Sequence, residues 1–329
     1  MTNKTTKLNS SVQNDVKLKE FWRNNAHFAD LFNAAIFNGE QFIKPENLYE
    51  MDTDTSTTIS SENYNESIKR NRDVVKKMYN GLEYNILGLE LQDKTHYAMP
   101  LRTMTYDALG YIKEYNNIRS IHKLNKNSFS SSEEFLSGIS RTDRFHPIIT
   151  LVLYYGESPW DGPLCLSDMM IPMPDNIKKM FSNYKLNLIQ ILDSDKYTFY
   201  NEDVKNVFNI INKIYNKDIQ SLFKEYNSKN VDYDVIELIS IITATPKLLE
   251  FCNKQEQGGK INMCKAFEEL ENEWTNNGLN KGLSEGLSQG KQLATQHAII
   301  SMLELGLTKE QILTKYSEDE FNSAVASHE

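Results

Sequence analysis

The sequence predicts an α/β fold with a helical C-terminal extension. Three observations carry that prediction. An amphipathic segment is followed by two β-prone runs that meet at Asn80-Gly81, a nearly continuous β-branched and aromatic run, HPIITLVLYYG, ends at Gly156, and from Ile177 onward the apolar spacing is helical. At 329 residues and 40% hydrophobic content, the chain has enough apolar material for a substantial core.

Between Asp15 and Phe37 the apolar residues Leu18, Phe21, Trp22, Phe28, Leu31, Phe32, Ala35 and Ile36 recur at three- and four-residue spacings. That pattern predicts one or two amphipathic helices, ended by Asn38-Gly39. The polar residues 1–14 predict a flexible terminus, and the Thr-, Ser- and Asp-rich stretch from Asp52 to Glu62 predicts an exposed loop. Strands follow over Asp73 to Tyr79 and Leu82 to Gln92. A helix begins near Pro100 and runs through Met104, Leu109 and Ile112 to about Tyr115. The Ser-rich segment from Asn125 to Ser140 reads as a loop, and the run ending at Gly156 as a strand covered on both faces.

From Ile177 to Phe251 the stripe of Ile210, Ile211, Ile214, Tyr215, Ile219 and Leu222 predicts helices that serve as a packing layer, over residues 176–270. The tail, 271–329, opens with Gly278, Gly282, Gly286 and Gly290 at a period of four, with Leu279, Leu283 and Leu287 following three of them. Such a repeat is either a flexible linker or a helix face that another helix approaches closely, so residues 278–329 are a candidate homo-oligomerisation element. The segment HAIISMLELGLTKEQILTKY predicts two short helices broken at Gly306, with Thr308 as N-cap and Gln311 at the third helical position.

The opening residues MTNKTTKLNSSV carry no secretion-signal pattern, and no run of about 18 apolar residues occurs. A cytoplasmic protein with no membrane partner is expected. Cys165, Cys252 and Cys264 are too few and too far apart for a four-ligand zinc site and read as packing residues. A net charge of −9 argues against a protein that coats nucleic acid, so any DNA contact is local. The local candidate is KRNRDVVKK, which holds Lys69, Arg70, Arg72, Lys76 and Lys77 around Asp73. Lys76 and Lys77 are candidate substrate contacts, although a basic run of this kind is commonly a solvated face.

If Asn80 and Gly81 form a two-residue turn, Tyr79 pairs with Leu82 and Asp73 lies opposite Gly88. Alternation then puts Gly88, Glu90 and Gln92 on a polar face, with Leu87, Leu89 and Leu91 on the buried one. Glu90 becomes the diagonal neighbour of Asp73, at roughly 7 to 8 Å between backbones. Two converging carboxylates repel unless a cation sits between them, and Mg²⁺ suits one or two carboxylates. Mn²⁺ is a plausible substitute. Gly88 would leave space for the ion and its waters, and the Gln92 amide would orient a water or a phosphate oxygen. The competing reading of the same spacing is a solvent-facing hairpin. Arg102 and Tyr106, at i and i+4, share a helix face, with Tyr111 five residues later. Arg102 is placed either to clamp a phosphate or to pair with Asp107 or another surface acid.

Four blocks in order, FADLFNAAIFNGEQFIKPENLYEMDTDTS, RDVVKK, GLELQDKTHYAMPLRTMTYDALGY and ITLVLYYGESPWDGP, resemble the recombination-promoting nucleases, the Rpn or YhgA-like transposase family. The resemblance covers residues 15–175 and, more faintly, the Gly-repeat tail. It implies a PD-(D/E)XK restriction-endonuclease-like core over 15–175, a mixed central sheet flanked by helices. The activity it implies is Mg²⁺-dependent hydrolysis of DNA phosphodiesters, linked to recombination or mobile DNA. Carried over by position, the strand acids are Asp73 and Glu90, the metal ligands, and Gln92 completes the catalytic set. The helix residues are Arg102, Tyr106 and Tyr111, as substrate contacts. The superfamily's lysine position is held by Gln92, which removes a cation that stabilises transition-state charge. A first-helix acid is also implied, with Asp15 and Glu20 as candidates. The alternative is a catalytically weak nuclease-like DNA-binding or assembly protein that oligomerises through its tail.

Overall fold

Asn24 interrupts the first amphipathic segment: its side chain accepts hydrogen bonds from the backbone N–H groups of Ala26 and His27 and so starts a new helix. The segment is therefore two helices, α1 (Thr2–Arg23) and α2 (Asn25–Ile36). Helix α1 begins well before Asp15, inside the stretch expected to be flexible. Asn38 and Gly39, both at positive φ, turn the chain away from α2 as the sequence predicts. The computed structural model describes residues 2–51, 57–61, 64–68, 72–79, 84–125, 129–226, 229–246, 248 and 260–327. Asn80-Gly81, Lys69, Arg70 and Cys252 lie outside these residues.

Strand β1 (Leu48–Glu50) precedes a hairpin of β2 (Thr57–Ser61) and β3 (Tyr64–Ile68), where an exposed loop was expected. The signal lay in the β-branched residues of TTISS, outweighed by the polarity around them. Strands β4 (Val74–Tyr79) and β5 (Tyr84–Gln92) follow, then α3 (Met99–Leu124), which begins with Pro100 in its first turn and outruns the predicted end at Tyr115. A short helix, α4 (Ser132–Ser137), lies in the Ser-rich segment and is capped by the Ser131 side chain. Strand β6 (Ile148–Tyr154) is buried over nearly its whole length, as a strand covered on both faces must be.

After α5 (Asp175–Met180), strand β7 (Asn187–Gln190) completes the sheet. The sheet thus draws its last strand from beyond residue 175, inside the segment expected to be wholly helical. Helices α6 (Glu202–Tyr215), α7 (Ile219–Tyr226) and α8 (Tyr233–Ile242) carry the predicted isoleucine stripe, with Ile210 and Ile211 fully buried. The sheet runs β1-β4-β5-β6-β7, antiparallel up to β5 and parallel from β5 to β7. This is a mixed five-stranded sheet flanked by helices.

Both faces of β5 are covered. Lys76 pairs with Leu87 in register, so the two share a face. On that face the Lys76 ammonium reaches the junction of α1 and α2, donating to Arg23 O and Asn25 Oδ1, each at 2.7 Å. The opposite face, with Gly88 and Glu90, lies under α3, whose Asp107 accepts a hydrogen bond from Thr150 on β6. The competing reading of a solvent-facing hairpin therefore does not hold, since Glu90 is buried beneath Arg102 of α3.

The chain divides into two compact units, Met1–Ala266 and Phe267–Glu329. The second holds nearly all of a long helix, Met263–Glu304, and two short ones, Lys309–Leu313 and Glu318–Ala326. Ile299, Ile312, Phe321 and Ala324 form its core. Gly306, at φ +87°, ends the long helix, and Thr308 and Gln311 form the predicted capping box. Thr308→Ala is expected to cost about 1 kcal/mol of local stability, measured as faster amide exchange in Lys309–Leu313. Within this unit Gly278, Gly282, Gly286 and Gly290 have open space where a Cβ would lie, and Leu279, Leu283 and Leu287 are exposed. The Gly repeat is helix and not a flexible linker. Among the described residues no helix is long and apolar enough to cross a membrane.

Candidate functional site

The site is assembled where β4 begins and β5 ends. Tyr79 pairs with Tyr84 and Val74 with Leu89, so four residues, not two, separate the strands. The register is shifted by two from the predicted one, and Gly88 pairs with Val75. Continuing this register by one residue sets Asp73 directly across from Glu90. A shift of two keeps every side chain on its predicted face, which is why Glu90 still points to the Asp73 side.

Asp73 is anchored at both carboxylate oxygens. Oδ2 accepts a hydrogen bond from the Leu91 backbone N–H at 2.9 Å, and Oδ1 lies 3.1 Å from Lys19 Nζ. Glu90 is fully buried, 0% exposed. Its Oε2 accepts from Arg102 Nη2 at 3.2 Å, while Oε1 finds no hydrogen-bond partner among the described residues. Arg102 in turn donates through Nε to Tyr106 Oη at 2.8 Å and lies over the Tyr106 ring. The Arg102–Tyr106 face predicted from i, i+4 spacing is therefore present and turned to the acid.

Burial, reinforced by the negative charge of Asp73 and only partly offset by Arg102, Arg72 and Lys19, pushes the Glu90 carboxyl up to about 8. The carboxyl is protonated in the folded protein at neutral pH, whereas in the unfolded chain it ionises near its usual 4.5. Its contribution to stability is accordingly complete below 4.5 and is lost as the pH rises through 8. In metal-free protein, Glu90→Gln is expected to raise the melting temperature at pH 9 and to leave it nearly unchanged at pH 4, a difference read by calorimetry at the two pH values.

Two further groups belong to this end of the sheet. Lys19, on α1, bridges Asp73 to Asp15, whose Oδ2 it reaches at 2.7 Å. Burial works against its charge, but the hydrogen bond to Asp15 and the Asp73 carboxylate outweigh it and hold the ammonium charged. Tyr155, whose N–H donates to Gln92 O, has its phenol pushed upward by burial and by the charges of Asp93, Asp73 and Asp15. Neither residue was singled out from sequence. For Lys19 the available signal was its spacing of four from Asp15. Of the two candidate first-helix acids, Asp15 faces the site through Lys19, and Glu20 lies 3.8 Å from Lys17 instead.

The other predicted residues are placed differently. Gln92 is on the correct strand, but its amide donates to Leu91 O at 2.9 Å and bonds to neither carboxylate. The space expected over Gly88 is filled by Arg72 and Thr150: a Cβ there would lie 3.0 Å from Arg72 Nη1 and 3.2 Å from Thr150 Oγ1. Lys76 cannot be a substrate contact, because its side chain is 0% exposed, engaged by Arg23 and Asn25, and close to Glu50. Arg72 is likewise turned inward, paired with Asp107, which also accepts from Thr150 Oγ1 and Tyr184 Oη at 2.6 Å each. Arg102 therefore pairs with Glu90 and not with Asp107. Tyr111 is not brought to the site: its hydroxyl accepts from the Ile148 N–H at the start of β6, while Glu90 pairs in register with Val152. Lys77 is half-buried on β4.

The arrangement places two carboxylates, a guanidinium and an ammonium at the carboxyl ends of β5 and β6, the edge where open α/β sheets bind ligands. Among the described residues no group of three or more His, Cys, Asp or Glu comes together as a metal cage. Asp73 and Glu90 fit a divalent ion of the kind that takes few protein ligands, since Glu90 Oε1 is buried with no hydrogen-bond donor among the described residues. No family model, curated protein or solved structure matches the chain.

Proposed function

We propose that the chain is a Mg²⁺-dependent endonuclease of the PD-(D/E)XK kind that hydrolyses DNA phosphodiesters. The observation that carries the reading is Glu90: a fully buried carboxyl, beside Asp73, with one oxygen that has no partner among the described residues. Burying a carboxyl next to another acid costs stability, and a cation shared with Asp73 offsets that cost. Asp73 and Glu90 would hold the ion. When bound, a divalent ion polarises a phosphodiester and lowers the pKa of a water. Arg102, held by Tyr106 and Glu90, is one-third exposed and presents guanidinium donors for a phosphate oxygen. The Leu91 N–H fixes the orientation of Asp73.

Because Glu90 must lose its proton to ligate, cation affinity is expected to rise with pH up to about 8 and level off above it. The test of the function is nicking of supercoiled plasmid with Mg²⁺ or Mn²⁺ by the purified chain. Nicked circles that appear with metal and not with EDTA support it, and intact plasmid under all conditions counts against it.

A second reading, an assembly protein acting through its tail, is favoured by the exposed Leu279, Leu283 and Leu287 on the long helix. Light scattering of chains with and without residues 278–329 separates it. An oligomer lost on truncation supports this reading, and an unchanged mass excludes the tail as the assembly element.

A further inference from the structure

The position at which the resemblance expects a lysine, Gln92, holds a neutral amide turned to its own neighbour's carbonyl. Yet an ammonium is present at the same site, delivered by a different element. Lys19 comes from α1 and sits between two carboxylates, 2.7 Å from Asp15 Oδ2 and 3.1 Å from Asp73 Oδ1. Its side chain is 25% exposed and that of Asp73 is 18% exposed, so this ion pair is partly open to solvent and not sealed in the core.

An i, i+4 pair such as Asp15–Lys19 is ordinarily a weak helix-surface contact. Here the same ammonium also reaches an acid on a separate element, and that acid is the one whose other oxygen is fixed by the Leu91 N–H. Asp15 therefore acts as a tether that holds Lys19 over Asp73. We infer that Lys19 is the phosphate-binding cation of this site, positioned by Asp15, and that it supplies from the first helix the charge that Gln92 does not. This inference rests on the phosphodiesterase reading above. A compact ammonium suits a single non-bridging phosphate oxygen, complementing the flat fork of Arg102, which pairs with Glu90.

A consequence distinguishes this role from that of a structural tie. An ammonium on Asp73 competes electrostatically with a divalent ion on the same carboxylate. Removing its charge is expected to tighten ion binding while weakening phosphate binding and turnover, two effects of opposite sign. A tie between α1 and the sheet predicts loss of melting temperature with no such divergence.

The experiment uses the full chain and Lys19→Gln, which keeps the hydrogen-bonding reach without the charge, with Lys19→Arg as the charge-retaining variant. Mn²⁺ affinity is measured by calorimetry, melting temperature by fluorescence, and plasmid nicking at saturating Mn²⁺. Lys19→Gln is expected to bind Mn²⁺ about tenfold more tightly and to nick about a hundredfold more slowly. Lys19→Arg is expected to recover most of the nicking. Asp15→Asn, which loosens the tether, should lose about tenfold in nicking with little change in Mn²⁺ affinity.

If wild type binds Mn²⁺ and nicks, and Lys19→Gln does both equally well, this inference is overturned and the phosphodiesterase reading stands. Parallel loss of Mn²⁺ affinity and melting temperature in Lys19→Gln also overturns it, in favour of a structural tie. A wild-type chain that neither binds Mn²⁺ nor nicks removes the phosphodiesterase reading, and this inference with it.

Discussion

Asp73→Ala and Glu90→Gln are each expected to lower plasmid nicking at least about a thousandfold at saturating Mg²⁺, the largest functional effect the structure predicts. The two variants differ in what else they change. Asp73→Ala removes the acceptor for the Leu91 N–H and a partner of Lys19, so it also loosens the start of β4. Glu90→Gln keeps the volume and the Oε2 partner of Arg102, and it removes a carboxyl that is protonated at neutral pH. Its melting temperature in metal-free buffer at pH 7.5 is therefore expected to equal or exceed that of wild type, while its nicking is lost. That combination separates catalysis from folding. Equal nicking by wild type and Glu90→Gln would remove Glu90 from the chemistry.

The largest effect on stability is expected from Asp107→Ala. The Arg72 side chain is 1% exposed, its Nε has no partner among the described residues, and Asp107 supplies its counter-charge. Asp107 also takes the hydroxyls of Thr150 and Tyr184, so it joins the segment leading into β4, α3, β6 and the segment leading into β7. Deleting it leaves a buried, always-charged group and two hydroxyls without acceptors. The expected cost is about 3 to 5 kcal/mol, a fall in melting temperature of the order of 10 °C. The double variant Asp107→Ala with Arg72→Met is expected to regain part of this loss, because it removes the stranded charge. A single-variant loss below about 1 kcal/mol in urea titration would show that the pair is not the sheet's polar anchor.

The contrast between these acids indicates what a sequence can reveal. The strands of the hairpin were legible from β-prone runs around Asn80-Gly81, and their faces from alternation, which an even shift in register leaves intact. Register itself was not legible, because the connection spans four residues and loop length depends on how the strands twist together. The capping box at Thr308 was readable because it is local, closed within four residues.

What escaped was tertiary. Lys76 and Arg72 belong to a basic run that composition assigns to solvent, yet both side chains turn inward, where Arg23, Asn25 and Asp107 receive them. The convergence of Lys19 with Asp73 depends on where α1 lies against β4, and no spacing along the chain encodes that. Strand β7 is four residues of NLIQ, too short for a periodic signal. Of the predicted site, Asp73, Glu90, Arg102 and Tyr106 are brought together; Gln92 faces its own strand, and Lys76 and Tyr111 stand apart.

The central claim is that Asp73 and Glu90 jointly hold a divalent ion. Crystals of the protein soaked in Mn²⁺ at pH 8, where the Glu90 carboxyl gives up its proton, test it directly by anomalous scattering at the manganese edge. One anomalous peak is expected within about 2.0 to 2.3 Å of an oxygen from each carboxylate, with Glu90 Oε1 among them. Glu90 still hydrogen-bonded to Arg102, with no peak between the two acids, would contradict it.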